Sequence, residues 1–199
     1  MIHFLCAVLL AAGAASAAVA QPDPATLATE AAAEFGPAVG ARAPLLDARL
    51  LDGSTPTLAE LSGPRGVVVY FNRSLDWCPI CIAQTLELQA AEERFNAAGW
   101  AVAVLTYDSA EALARGVDRR GITLTVLSDP DSETIDAWGV RDPIYQNPEH
   151  MAYGVPYPIA FAIRPDGVVA AKFWHEGGLG ADRGYAVRVS ADDVLAALR

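Results

Sequence analysis

Hydrophobic positions along this chain repeat with two different periods. Val67-Val68-Val69-Tyr70-Phe71, Ala101-Val102-Ala103-Val104-Leu105 and Ile159-Ala160-Phe161-Ala162-Ile163 are short apolar runs rich in β-branched and aromatic residues, the pattern of buried strands. Leu124 to Leu127 predicts a further short strand. Between the first two runs, Cys81, Thr85, Leu88, Ala91 and Phe95 recur at steps of four, three, three and four, with Gln84, Glu87 and Arg94 off that stripe. This is the spacing of an amphipathic helix. Ser109 predicts the N-cap of a second helix running to about Arg120 and stopped by Gly121. Ser132 is placed to cap Glu133–Trp138, ended by Gly139, and Ser190 with Asp193 forms a capping-box pattern opening a last helix, Ala191–Leu198.

The remaining segments are less regular. Ala25 to Phe35 predicts an alanine-rich helix stopped by Gly36-Pro37, and Leu58 to Leu61 a helical turn. Val39 to Asp52, broken by Gly40 and Pro44 and ending in Asp52-Gly53, predicts a small hairpin. Gly139 to Pro158 carries no clear period. The run Val168–Trp174 follows Arg164-Pro165-Asp166-Gly167, a tight-turn sequence, so it pairs antiparallel with the preceding strand. Strands alternating with helices early, then a hairpin, predict a largely parallel sheet with an antiparallel end.

Composition narrows this picture. The 199 residues are 53% hydrophobic, enough for one sizeable core and no more than one domain. Ile2 to Ala18 is almost unbroken apolar and Ala18-Val19-Ala20 is a small-x-small cleavage signature. Residues 1–20 are therefore expected to be a secretory leader, residues 21–36 a linker and helix, and residues 37–199 the domain. The alternative for 1–20 is an uncleaved N-terminal anchor, since the run approaches the length of a membrane-spanning helix. Either way the domain is expected outside the cytoplasm, secreted or periplasmic. The formal net charge of −10, with a single lysine, argues against nucleic acid or anionic lipid as a partner.

Removal of residues 1–20 would leave two of the three cysteines, in Arg73-Ser74-Leu75-Asp76-Trp77-Cys78-Pro79-Ile80-Cys81. Pro79 suits the first turn of the predicted helix, which puts Cys78 at its N-terminus. Unpaired backbone N–H groups and the macrodipole there favour a thiolate, and Arg73 adds positive charge nearby. Cys81, one turn on, can close a disulfide with Cys78. One thiol that attacks and one that resolves is the requirement of thiol–disulfide exchange. A zinc site would need two further ligands, and beyond residue 20 only His150 and His175 are available besides carboxylates. Ile82 stands where covalent haem attachment needs histidine. No metal and no cofactor is expected. Tyr145, Tyr153 and Tyr157 are candidates to line a partner groove, and Trp100, Trp138 and Trp174 are expected in the core.

The Trp-Cys-x-x-Cys turn between a strand and a helix, followed by Tyr157-Pro158 opening a later strand and by the Asp166-Gly167 hairpin, resembles the thioredoxin fold. Leu127-Ser128-Asp129-Pro130 and Tyr153-Gly154-Val155-Pro156-Tyr157-Pro158 narrow the resemblance to the redoxin branch, the alkyl hydroperoxide reductase and thiol-specific antioxidant family. The resemblance covers roughly residues 37–198. It implies an α/β, three-layer fold with a central mixed sheet and helices on both faces. It further implies Cys78 as an exposed nucleophile, Cys81 as a buried resolving thiol, Trp77 packed beside them, Pro79 in the first helical turn, and Pro158 as a cis-proline whose neighbour Tyr157 offers backbone to a substrate. Two departures stand out. Peroxiredoxins carry a threonine or serine three residues before the peroxidatic cysteine and a proline seven before it; counted from Cys78 those positions are Leu75 and Phe71, with Ser74 one residue off. Thioredoxins keep a carboxylate beneath their cysteines, where this strand offers Tyr70, Phe71 and Asn72.

The expected function is therefore an extracytoplasmic thiol–disulfide oxidoreductase acting on protein or small-molecule disulfides and dithiols. A peroxiredoxin-like hydroperoxide reductase using Cys78 is the alternative of the same class. A non-catalytic thioredoxin-fold binding module is the alternative of another.

Overall fold

The computed structural model describes residues 35–199. The leader expected over 1–20 and the helix expected over 25–35 lie, but for Phe35, outside the described residues. A five-stranded sheet organises the rest, in the order β3-β2-β1-β4-β5. Its strands are β1 (Gly66–Phe71), β2 (Trp100–Thr106), β3 (Thr125–Ser128), β4 (Ile159–Ile163) and β5 (Val169–Trp174). β1, β2 and β3 run parallel, while β4 pairs antiparallel with both β1 and β5. The mixed sheet expected from the change of pattern after Gly139 is thus present.

Side-chain alternation on β1 sorts the core into two layers. Val68 and Tyr70 face one cluster, together with Val102, Val104, Ala160 and Ala162; Cys81, Leu88 and Phe95 of α2 (Pro79–Ala97), Leu113 of α3 (Ala110–Arg120) and Val194 of α5 (Ala191–Ala197) complete it. Val67, Val69 and Phe71 face the other, with Leu105, Phe161, Ile163 and Trp138. That second face is covered by α4 (Glu133–Ala137), by Leu58 and Leu61 of the short helix α1 (Leu58–Leu61), and by Leu46 and Ala48 of the N-terminal segment. Helices on both faces of one sheet give the three layers of the thioredoxin-like α/β fold.

Local chemistry sets the element ends. Thr57 with Glu60, and Ser190 with Asp193, form complete capping boxes. Ser109 caps α3, and Gly121 ends it in the left-handed region at φ 61°. Two expectations need correction. Ser132 does not cap α4: it sits at positive φ and donates its hydroxyl to Gly154 O, while the Asp129 carboxylate accepts from the N–H groups of Thr134 and Ile135. A carboxylate reaching over from the end of β3 satisfies two amides at once, which a single hydroxyl cannot. Nor is there a hairpin over 39–52. Arg42 and Arg49 instead bridge singly to Val168 and Ser128, tying the segment to the body of the domain.

Candidate active site

The site is built on the junction of β1 and α2. Cys78 is the N-cap of α2 in extended conformation, Pro79 opens the first turn, and Cys78 Sγ accepts from the Cys81 N–H at 3.3 Å. The two cysteines are joined as a disulfide, with Cα atoms 5.2 Å apart. Cys81 is completely buried, as the resemblance implied. Cys78 is buried too, at 3% exposure, where an exposed nucleophile was expected. Its chain neighbours are more open: Trp77 and Ile80 are half-buried and Pro79 is exposed. The loop before it is a tight turn: Ser74 Oγ accepts from the N–H groups of Asp76 and Trp77.

That turn is clamped from below. Asp108, just past β2, is 4% exposed; its carboxylate accepts from Leu75 N–H at 2.7 Å and from the Thr106 hydroxyl at 3.2 Å. Burial pushes the Asp108 carboxyl up, against the lowering effect of these bonds. A buried carboxylate therefore does lie under the motif, but it comes from the neighbouring strand and holds the loop. On the outer side, Asp76 pairs with Arg119 and, at 3.8 Å, with Arg115 of α3.

Arg73 is 2% exposed and does not act as a simple cation beside Cys78. Its guanidinium lies against three rings, those of Tyr185 at 3.8 Å, Tyr145 at 4.7 Å and Trp77 at 5.5 Å, and its Nε and Nη1 have no hydrogen-bond acceptor. The ring faces, with the Asp142 carboxyl nearby, compensate the buried guanidinium. The irregular segment 139–158, through Tyr145, and the 3₁₀ turn Gly184–Ala186, through Tyr185, thereby pack against the motif at Arg73. Trp77 adds a bond from its indole N–H to Tyr107 Oη, and the Tyr107 hydroxyl donates to Met151 O of the same irregular segment.

Of the tyrosines proposed to line a groove, only Tyr145 reaches Arg73. Tyr153 stacks on Arg141, and Tyr157 is buried, donating its hydroxyl to His175 O at 2.7 Å, with burial and then Asp142 pushing it up to about 12. His150 and His175 are exposed and make no bond to the motif; His150 Nδ1 accepts locally from Ala152 N–H. Trp100 and Trp138 are core residues as expected, while Trp174 is half-buried.

The cis-proline is a correction. No peptide bond among the described residues is cis, so Pro158 is a trans residue. The Tyr157 N–H is already engaged by Val140 O at 2.8 Å, which leaves it unable to pair with an extended substrate. Pro158 lines a cavity of about 10 Å³ with Tyr70, Gln84 and Arg188, far too small for a substrate. A larger cavity of about 500 Å³, bounded by Arg42–Asp47 and Thr55–Ala59, opens on the other side of the sheet from the cysteines, where Leu46 and Leu58 pack.

Two site residues escaped the sequence reading. Gln84, placed off the buried stripe, is 8% exposed and faces inward, its Nε2 donating to Val189 O. Arg188 donates from Nη2 to Cys81 Sγ at 3.3 Å and from Nη1 to Asn72 Oδ1 and Gln84 Oε1. Its only sequence signal is an arginine held between Val187 and Val189, and the 107 residues separating it from Cys81 hid the contact.

Known proteins share the family and the fold. The model of the AhpC/TSA family matches residues 39–172. A Mycobacterium tuberculosis protein provisionally named a peroxiredoxin is 36% identical over 100 residues, covering 50% of this chain and 62% of that protein. Among solved structures, Xanthomonas campestris peroxiredoxin Q superposes with a TM-score of 0.59 at 25% identity, over 77% of this chain and 89% of that one. Reduced Prx3 of Vibrio vulnificus shares the fold at a TM-score of 0.64 and 20% identity, over 81% of this chain and 98% of its own. With a thioredoxin-like sheet, a Cys78–Cys81 disulfide at the head of α2 and a family match over two thirds of its length, the chain belongs to the AhpC/TSA family.

Proposed function

We propose that this protein is an extracytoplasmic thiol–disulfide oxidoreductase working through the Cys78–Cys81 pair. The observation that carries the reading is the disulfide itself, closed between the N-cap of α2 and the next turn of the same helix. A bond spanning three positions ties together no distant parts of the chain, so its value lies in being made and broken. In the reducing direction the Cys78 thiolate attacks a substrate disulfide, forming a Cys78–substrate mixed disulfide and releasing one substrate thiolate. Cys81 then attacks Cys78 Sγ, restoring the intramolecular disulfide and releasing the second. Two electrons pass to the substrate. Because Cys78 is buried, the site has to open before either step. The location rests on the apolar stretch before Ala20 and its small-x-small ending.

Insulin reduction by the parent and by Cys78→Ser and Cys81→Ser variants tests this. Turnover in the parent and its loss in both variants is the expected outcome. No turnover in the parent would overturn the exchange reading and leave the hydroperoxide reading or a binding module. The family match and the names of its relatives favour a second reading, reduction of hydroperoxides. Leu75 stands fully buried where a hydroxyl would be needed, and Ser74 Oγ is spent on the turn. Peroxide consumption with a thiol reductant supplied separates the two enzyme readings. N-terminal mass spectrometry of the exported protein, with Gln21 as first residue, tests the leader.

A further inference from the structure

The bonding around Cys81 assigns a role to Arg188, and it rests on the exchange reading above. Cys81 Sγ is fully buried, and Arg188 Nη2 points at it from 3.3 Å. The guanidinium is held in place by two neutral acceptors, Asn72 Oδ1 at 2.8 Å and Gln84 Oε1 at 3.1 Å. Asn72 in turn donates to Cys81 O at 3.3 Å, so that one side chain holds both the Cys81 backbone and the guanidinium. Nε of Arg188 has no acceptor, and among the described residues no carboxylate forms an ion pair with this arginine. The titratable groups facing it are Arg73, of like charge, and the phenols of Tyr157 and Tyr185; Asp142 lies beyond, next to Arg73 and Tyr157. Burial, then Arg73, pulls Arg188 down to about 9, so it still carries its charge at neutral pH.

In the disulfide state this is a desolvated cation facing a neutral sulfur, an expensive arrangement. An anion on that sulfur would relieve it. We propose that Arg188 is the counterion of a Cys81 thiolate in the reduced protein, so that Cys81 is the sulfur that leaves when an external thiol opens the disulfide at Cys78. The step balances without a proton at Cys81. The thiolate of an external dithiol forms a bond to Cys78 Sγ, the Cys78–Cys81 bond breaks, and its electron pair stays on Cys81 beside Arg188. The second thiol of the donor, as its thiolate, then displaces Cys78 and becomes oxidised. Because the contact is stronger with the reduced sulfur than with the disulfide, it biases the pair toward accepting electrons. In the opposite direction it keeps the resolving sulfur ready to attack.

Titration of single-thiol variants of the full chain tests this directly. In a Cys6→Ala, Cys78→Ser background, thiolate absorbance reports Cys81 alone. Arg188→Met is expected to raise its midpoint by about 1–3 pH units, with Arg188→Lys restoring most of the shift. In the matching Cys81→Ser background the same substitution is expected to leave Cys78 nearly unmoved. With both active-site thiols present, Arg188→Met should move the equilibrium against a dithiothreitol redox buffer about tenfold toward the disulfide. A Cys81 midpoint that ignores Arg188→Met, or a Cys78 midpoint that moves as far, overturns the assignment. Should the methionine variant not fold by circular dichroism, the lysine variant decides: a Cys81 midpoint still below the ordinary thiol value supports the counterion, and one at or above it overturns it. None of these readouts needs turnover. A parent inactive on insulin but with a depressed Cys81 midpoint would remove the exchange reading and keep the counterion.

Discussion

At the scale of single residues, the site is held by compensation between groups that would each be costly alone. Arg73 is buried without an acceptor for Nε or Nη1; three aromatic faces lie against it, and the Asp142 carboxyl supplies a negative charge nearby. The Tyr185 ring is the nearest at 3.8 Å and belongs to the C-terminal turn, so this contact also fastens that turn to the motif. Tyr185→Leu keeps apolar bulk and deletes the ring face. It is expected to cost about 1–2 kcal/mol, read as a lower urea midpoint. It should also speed alkylation of Cys78 in the reduced protein, because Arg73 and the motif loop it belongs to lose the packing of the Gly184–Ala186 turn. An unchanged midpoint together with an unchanged alkylation rate would show that the ring stack does not hold the loop.

Among elements, the seating of α3 against the motif loop decides where the cysteines sit. Gly116 makes that approach: a Cβ there would lie 2.5 Å from Leu75 O and 2.8 Å from its carbonyl carbon, both backbone atoms with little freedom to retreat. The loop is meanwhile tied to Asp108 through Leu75 N–H and to Arg119 through Asp76. Gly116→Ala is therefore expected to destabilise by about 1–3 kcal/mol despite alanine's better helix propensity. Thermal unfolding measures it. A higher melting temperature than the parent's would mean the helix can shift away freely.

For the molecule as a whole, several buried carboxylates set the response to pH. Burial raises Asp108, Asp129 and Asp142 above the ordinary carboxylate value, so each binds its proton more readily folded than unfolded. A group with a raised folded value contributes stability that is complete below its unfolded value near 3.8, and loses it as pH rises through the folded value. These three therefore oppose acid unfolding and cost stability near neutrality. Asp142 is 1% exposed, with Oδ1 accepting from Ile144 N–H and Oδ2 unpaired, and burial outweighs the lowering effect of that bond and of Arg73 nearby. Asp142→Asn keeps the first bond and removes the charge. It is expected to raise the urea midpoint at pH 7, with the advantage over the parent shrinking toward pH 4. An advantage that does not depend on pH would show that burial of the charge is not the cause.

Local pattern alone determined the strands β1, β2, β4 and β5, the helix stripe of α2, the capping boxes, the Gly121 stop and the place of the cysteine pair at a helix start. Each of these is a matter of neighbours within a few positions, where period, branching and capping chemistry act directly. Only the tertiary structure decided what surrounds the sulfurs. Asp108 under the loop, the ring stack on Arg73, the inward turn of Gln84 and the contact of Arg188 with Cys81 all join residues far apart in the chain. The burial of Cys78 and the trans geometry of Pro158 belong with them. A motif names the atoms that can react, whereas access and charge at those atoms depend on segments that reach them only once the sheet has brought its ends together.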